Sequence, residues 1–128
     1  MAQKARFDVN PEPVVTYAID RNINYTNICE CRCRFCAFYR EADAPDAYLL
    51  SVEQVLASTA EAVRMGATQV MLQGGLHPEL GIEYFEELFR SIKQRFDLCI
   101  HSLSPPEVQH LSKKSGLGLQ ELLLEPLG

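Results

Sequence analysis

The stretch Asp20–Arg40, DRNINYTNICECRCRFCAFYR, decides how the chain is read. Its first half, Asn22 to Ile28, alternates polar and apolar side chains with the two-residue period of a strand. Asn22, Asn24 and Thr26 fall on one face, and Ile23 and Tyr25 on the other. Its second half holds four of the five cysteines within eight residues. Taken as Cys29, Cys33 and Cys36 they are spaced C-x3-C-x2-C, with the aromatic Phe35 just before the last. Three thiolates on one short loop can hold three irons of a four-iron, four-sulfur cluster, which ordinarily takes four cysteines. One iron then keeps an open position, where a small chelating cofactor can bind and react.

Two other readings of the cysteines stand beside this one. Cys33 and Cys36 form a C-x2-C pair, which also suits half a zinc site or a redox dithiol. The ligands left to complete a zinc site are Cys99, His77, His101 and His110, and none of these forms a spaced pair. Cys31 is extra to the three-cysteine set. Its one-residue spacing from both Cys29 and Cys33 makes it a poor fourth ligand.

Outward from this stretch, elements alternate. Residues 1–13 are polar with two prolines and read as an extended lead-in, followed by a short β-rich run at Val14 to Ala18. Ser51 opens a helix with Gln54 placed for a capping box. Val52, Val55, Leu56, Thr59, Ala60 and Val63 supply its apolar stripe, and Gly66 ends it. Thr68 to Gln73 is a second strand closed by Gly74-Gly75. A helix over 82–95 follows, with Phe85, Leu88, Phe89, Ile92 and Phe96 as its apolar face. Leu98 to Leu103 is a third strand, and Pro105-Pro106 opens another helix, as prolines do in a first turn. A last helix begins at Leu119 and is stopped by Pro126. The order β-α-β-α-β-α predicts an α/β fold of parallel strands with right-handed crossovers. By pattern alone this is a doubly wound sheet or part of a barrel.

At the cysteine motif and its flanks the chain resembles the radical S-adenosylmethionine (SAM) superfamily, marked by C-x3-C-x2-C with an aromatic before the third cysteine. The run Asp20–Arg40, with a resemblance extending from about Val14 to about Leu123, is similar to one branch of it. That branch holds the cyclic dehypoxanthine futalosine synthases of menaquinone biosynthesis and the FO synthase subunits of deazaflavin biosynthesis, with aminofutalosine synthase a more distant relative. The stretches VTYAIDRNINYTN and CAFYR favour the first of these. The resemblance implies a partial TIM-type (β/α) barrel, roughly its first three βα units, with residues 1–128 as the N-terminal part of one barrel domain and 122–128 as a divergent end. A full barrel takes about 200–250 residues, so the 128 residues read as a truncated piece.

The resemblance also implies the chemistry. SAM chelates the open iron of a 4Fe-4S cluster, and an electron, originating from an external donor, cleaves a carbon–sulfur bond to give a 5′-deoxyadenosyl radical. A futalosine-type nucleoside is the implied small-molecule substrate, cyclised onto its aromatic ring. By this resemblance Cys29, Cys33 and Cys36 are the cluster ligands and Phe35 packs near the adenine, its alternative being core packing. Gly74 and Gly75 receive the methionine end of SAM, where a bare backbone permits close approach. A valine at Gly75 is therefore expected to obstruct SAM without removing iron. Leu76 and His77 stand where many members carry glutamate, which leaves the amino group to backbone carbonyls and Gln73. His101 and Ser102, at a strand end, face cofactor or substrate; the alternative for His101 is a hydrogen-bonded barrel residue. His77 reads as a solvated loop histidine and Cys99 as a buried, inert thiol.

Composition bounds the partners. A net charge of −5 with no basic stripe argues against nucleic acid. No apolar run reaches the roughly 18–20 residues of a membrane span, and no charged start followed by an apolar stretch suggests export. Clustered free cysteines fit a reducing cytoplasm. Two classes of function stay open: a radical enzyme, and a non-catalytic remnant that binds a cluster poorly.

Overall fold

A computed structural model describes residues 2–124. Three parallel strands form one sheet in the order β1-β2-β3: β1 (Asp20–Thr26), β2 (Gln69–Gly74) and β3 (Cys99–Ser102). The helices are α1 (Ala2–Val9), α2 (Val52–Arg64), α3 (Ile82–Arg95), α4 (Pro105–Ser115) and α5 (Leu119–Leu124). Each strand is followed by a helix, as the first three βα units of a TIM-type barrel are. The stop assigned to Pro126 and the divergent end beyond Leu124 lie outside the described residues.

The register divides the sheet into two faces. Arg21, Val70 and Ile100 lie in one row and Ile23, Leu72 and Ser102 in the next. This face carries the core: Ile23, Tyr25, Val70 and Leu72 meet Val55, Leu56, Phe85, Leu88 and Ile92 of the helices. Tyr25 sits edge-on to Phe85 at 5.4 Å between ring centres. The alternate rows, Asp20–Gln69–Cys99 and Asn22–Met71–His101, with Asn24 beside Gln73, form the opposite face. In a closed barrel this second face is the interior.

Local sequence explains the helix ends. Ser51 accepts from Gln54 N–H while the Gln54 side chain accepts from Ser51 N–H, completing the expected capping box. Gly66 follows the C-cap with φ of 87°, a left-handed turn that a side chain would oppose. Ser104 and Glu107 form a second capping box at the start of α4.

Several expectations are corrected. The lead-in is not extended throughout, because Ala2–Val9 is helical: Ala, Gln, Lys and Arg are strong helix formers, and Pro11 forces the exit. Val14 to Ala18 is no strand. Val15 and Tyr17 are exposed and pair with no strand among the described residues, and β propensity without a partner is not enough. On α2 the last buried position is Ala62; Val63 is turned to solvent and Ala60 is only half-buried. Cys99 is exposed, not buried, because it lies on the face that no helix covers.

Candidate cluster and cofactor site

At the C-terminal ends of the strands lies a cavity of about 830 Å³. Its walls bring together Cys29, Phe35, Cys36, Gln73, Gly74, Gly75, His101 and Ser102, from the cysteine loop and the ends of β2 and β3. Cys33 stands outside this lining, on the same loop between Cys29 and Cys36. A barrel-type site is expected at this end of the strands.

The cysteine loop is anchored at both ends. On its near side, Thr26 Oγ1 donates to the Tyr48 carbonyl at 2.6 Å and accepts from Ile28 N–H at 3.1 Å. The buried Asn27 donates to the Asp46 carbonyl at 2.8 Å and accepts from Tyr48 N–H at 2.8 Å. On its far side, Arg40 N–H donates to the Asn27 carbonyl at 2.7 Å, and Cys29 N–H to the Arg40 carbonyl at 3.2 Å. The Arg40 guanidinium donates to Asp46 Oδ2 at 2.6 Å and to the Tyr39 carbonyl at 2.8 Å. That bond from Arg40 holds the Asp46 carboxyl below its ordinary range. Asn27, Arg40 and Asp46 were not singled out from the sequence. The signal available was an asparagine at a strand end, where a buried amide must find partners.

The two glycines serve close approach in different directions. A Cβ on Gly74 would stand 2.3 Å from the Tyr25 ring. A Cβ on Gly75 would stand 2.1 Å from the Ile28 carbonyl oxygen and 2.7 Å from Cys29 Cβ. Gly75 therefore abuts the cysteine loop, so a side chain there would meet the backbone beside Cys29 as well as the cavity. Beside it, Leu76 N–H donates to Cys29 Sγ at 3.3 Å. Among the described residues, the non-glycine positions with positive φ, Arg32 (49°) and Leu103 (58°), both flank the site, where backbone strain tends to collect.

The remaining candidates separate. Phe35 is 91% exposed, which removes core packing as its role and leaves its ring at the cavity. Gln73 and His101 lie on the open sheet face. Ser102 belongs to the helix-covered row, and its hydroxyl donates to the Leu72 carbonyl at 3.2 Å while still bordering the cavity. His77 is buried, not solvated: Nδ1 accepts from Glu79 N–H at 3.0 Å, and burial pushes its pKa down. Glu107, missed from the sequence, is buried in the cavity wall.

Cys29, Cys33 and Cys36 are free thiols on one loop, the donor type that an iron–sulfur cluster takes. Among the described residues no three His, Cys, Asp or Glu side chains converge as a mononuclear zinc site requires. A cluster places each thiolate on a separate iron, so ligands on one loop stand apart. Cys31 is exposed, and its sulfur lies 3.4 Å from that of Cys33.

Residues 23–116 match the family model of the radical SAM superfamily, and the chain belongs to that superfamily. Among curated proteins it is 43% identical over 117 residues to a cyclic dehypoxanthine futalosine synthase of Halalkalibacterium halodurans, covering 91% of this chain and 32% of the relative. It is 47% identical over 125 residues to a 5-amino-6-(D-ribitylamino)uracil–L-tyrosine 4-hydroxyphenyl transferase of Methanopyrus kandleri, covering 97% and 34%. It is 43% identical over 124 residues to a cyclic dehypoxanthine futalosine synthase of Streptomyces coelicolor, covering 95% and 31%. The chain thus spans about a third of the length of these relatives. No helix among the described residues is long and apolar enough to cross a membrane.

Proposed function

We propose that this chain forms the cluster- and SAM-binding part of a radical SAM enzyme, with Cys29, Cys33 and Cys36 holding three irons of a 4Fe-4S cluster. The observation that carries the reading is the cavity in which Cys29 and Cys36 share one wall system with Gly74, Gly75 and His101. When bound and reduced by an external donor, the cluster supplies the electron that cleaves a carbon–sulfur bond of SAM. The chain's own residues do the rest. Thr26, Asn27 and Arg40 fix the loop that carries the thiols. Gly74 and Gly75 leave backbone free at the cavity edge, Gln73 and His101 offer polar atoms on the open sheet face, and Phe35 offers an exposed ring for a flat base. Ser102, with its hydroxyl already donated, shapes the wall.

For the reaction itself we favour cyclisation of a dehypoxanthine futalosine-type nucleoside in menaquinone biosynthesis, as the names of two relatives suggest. The second reading is transfer of a 4-hydroxyphenyl group from tyrosine to a ribitylaminouracil, which the 47% identity to the Methanopyrus protein favours. A cytoplasmic setting suits both. The test is anaerobic reconstitution with iron and sulfide, then incubation with SAM and a reductant. Bound iron and sulfide together with 5′-deoxyadenosine are the expected result. A chain that takes up neither iron nor sulfide would make it a non-catalytic remnant.

A further inference from the structure

The turn after β2 lies against Cys29 through three contacts. Gly75 is flush with the Ile28 carbonyl and Cys29 Cβ. Leu76 N–H donates to Cys29 Sγ at 3.3 Å, and the Leu76 carbonyl accepts from Glu30 N–H at 3.0 Å. Both sides of this clasp lie past the strands, since β1 ends at Thr26 and β2 at Gly74. At its base Gly75 N–H still donates to the Thr26 carbonyl at 3.1 Å. A side chain from α4 adds a further tie across it. His110 Nε2 donates to the His77 carbonyl at 3.1 Å, and His110 Nδ1 lies 3.3 Å from Glu30 Oε1. One imidazole, its side chain 16% exposed, spans the residue after Cys29 and the residue after Leu76. Lys114, a turn further along α4, donates to the Pro78 carbonyl and secures the same segment.

We propose that His110 is a positioning residue for the first cluster cysteine, holding the Leu76 N–H on Cys29 Sγ. The proposal rests on the reading of Cys29 as a cluster ligand. Hydrogen bonds to cluster sulfurs stabilise the added negative charge of the reduced state and are among the determinants of its potential. A loosened Leu76–Cys29 contact makes the cluster harder to reduce.

The test compares wild type, His110→Leu, His110→Gln and Glu30→Gln. In the cluster-free, 15N-labelled chain, His110→Leu should speed hydrogen exchange at the Leu76 amide by about tenfold or more, as local opening does. His110→Gln should restore protection, because its amide reaches the His77 carbonyl. After reconstitution, His110→Leu should keep its iron and shift the midpoint potential downward. Unchanged Leu76 exchange together with an unchanged potential overturns the proposal. If His110→Leu fails to fold, Glu30→Gln decides: faster Leu76 exchange supports the proposal, and unchanged exchange overturns it. Failure of the wild type to bind iron and sulfide would refute the cluster reading alone, since the exchange measurement needs no cluster.

Discussion

Tyr25 Oη donates to Glu107 Oε1 at 2.6 Å, joining the first strand to α4 across 82 residues of sequence. The other carboxylate oxygen accepts from Ser104 N–H at 2.7 Å and from Ser104 Oγ at 2.5 Å. Glu107 is thus both the capping residue of α4 and the acceptor for the tyrosine whose ring lies under Gly74. Tyr25→Phe keeps that ring but leaves Oε1 buried without its partner, a loss of about 1–3 kcal/mol. Urea unfolding should show the midpoint falling with an unchanged slope. An unchanged midpoint would mean that water or relaxation replaces the phenol.

Gly75→Ala should cost the chain its iron as well as any SAM affinity. The added methyl meets the Ile28 carbonyl at 2.1 Å, and backbone cannot yield as a flexible side chain can. The displaced segment is the one that carries Cys29. Iron and sulfide analysis after reconstitution checks this, and full iron with impaired SAM binding would return Gly75 to the role read from the sequence.

Single alanine changes at Cys29, Cys33 and Cys36 should each abolish the cluster's visible absorbance, whereas Cys31→Ala and Cys99→Ala should keep it. Cys31 is exposed beside Cys33, and Cys99 lies at the opposite end of β3 from the cavity. Complete loss of absorbance in Cys31→Ala would show that Cys31 replaces one of the three.

The tyrosines make stability depend on alkaline pH. Burial pushes the Tyr84 phenol up to about 12, and burial with the neighbouring Glu107 raises Tyr25 further. The folded chain therefore keeps protons that the unfolded chain releases from about pH 10. Their contribution to stability is full below about pH 10 and is lost as pH rises toward the folded values. Burial also raises the Tyr48 phenol, so ultraviolet titration should show three phenols ionising late, together with loss of circular dichroism. Tyr25→Phe should make the alkaline decline shallower.

The parts legible in the sequence are those set by local periodicity. The bounds of α3, the Ser51–Gln54 box and the parallel βαβ order all follow from side chains near one another in the chain. The cysteine spacing likewise marked one short loop. Long-range contacts were not legible. Nothing near Glu107 announces that Tyr25 will need an acceptor, and nothing near His110 points to Glu30. Cys99 looked buried because its neighbours are apolar, yet alternation turned Leu98 inward and Cys99 to the open face. Periodicity shows that two faces exist; only the register shows which one the helices cover.

The described residues alone should not form product from dehypoxanthine futalosine or from tyrosine and the ribitylaminouracil. A radical intermediate needs a water-excluded cavity to avoid side reactions. Here Asn22, Gln73, Cys99 and His101 are exposed on a sheet of three strands, where a closed barrel has eight. On the proposed reading SAM cleavage asks less, needing mainly the cysteine loop and the Gly74–Gly75 edge. Reconstituted chain with SAM, reductant and each substrate should therefore give some 5′-deoxyadenosine without coupled or cyclised product. Mass spectrometry distinguishes the two outcomes. Stoichiometric product from these 128 residues would show that the open sheet face is closed some other way, for example by a second copy of the chain.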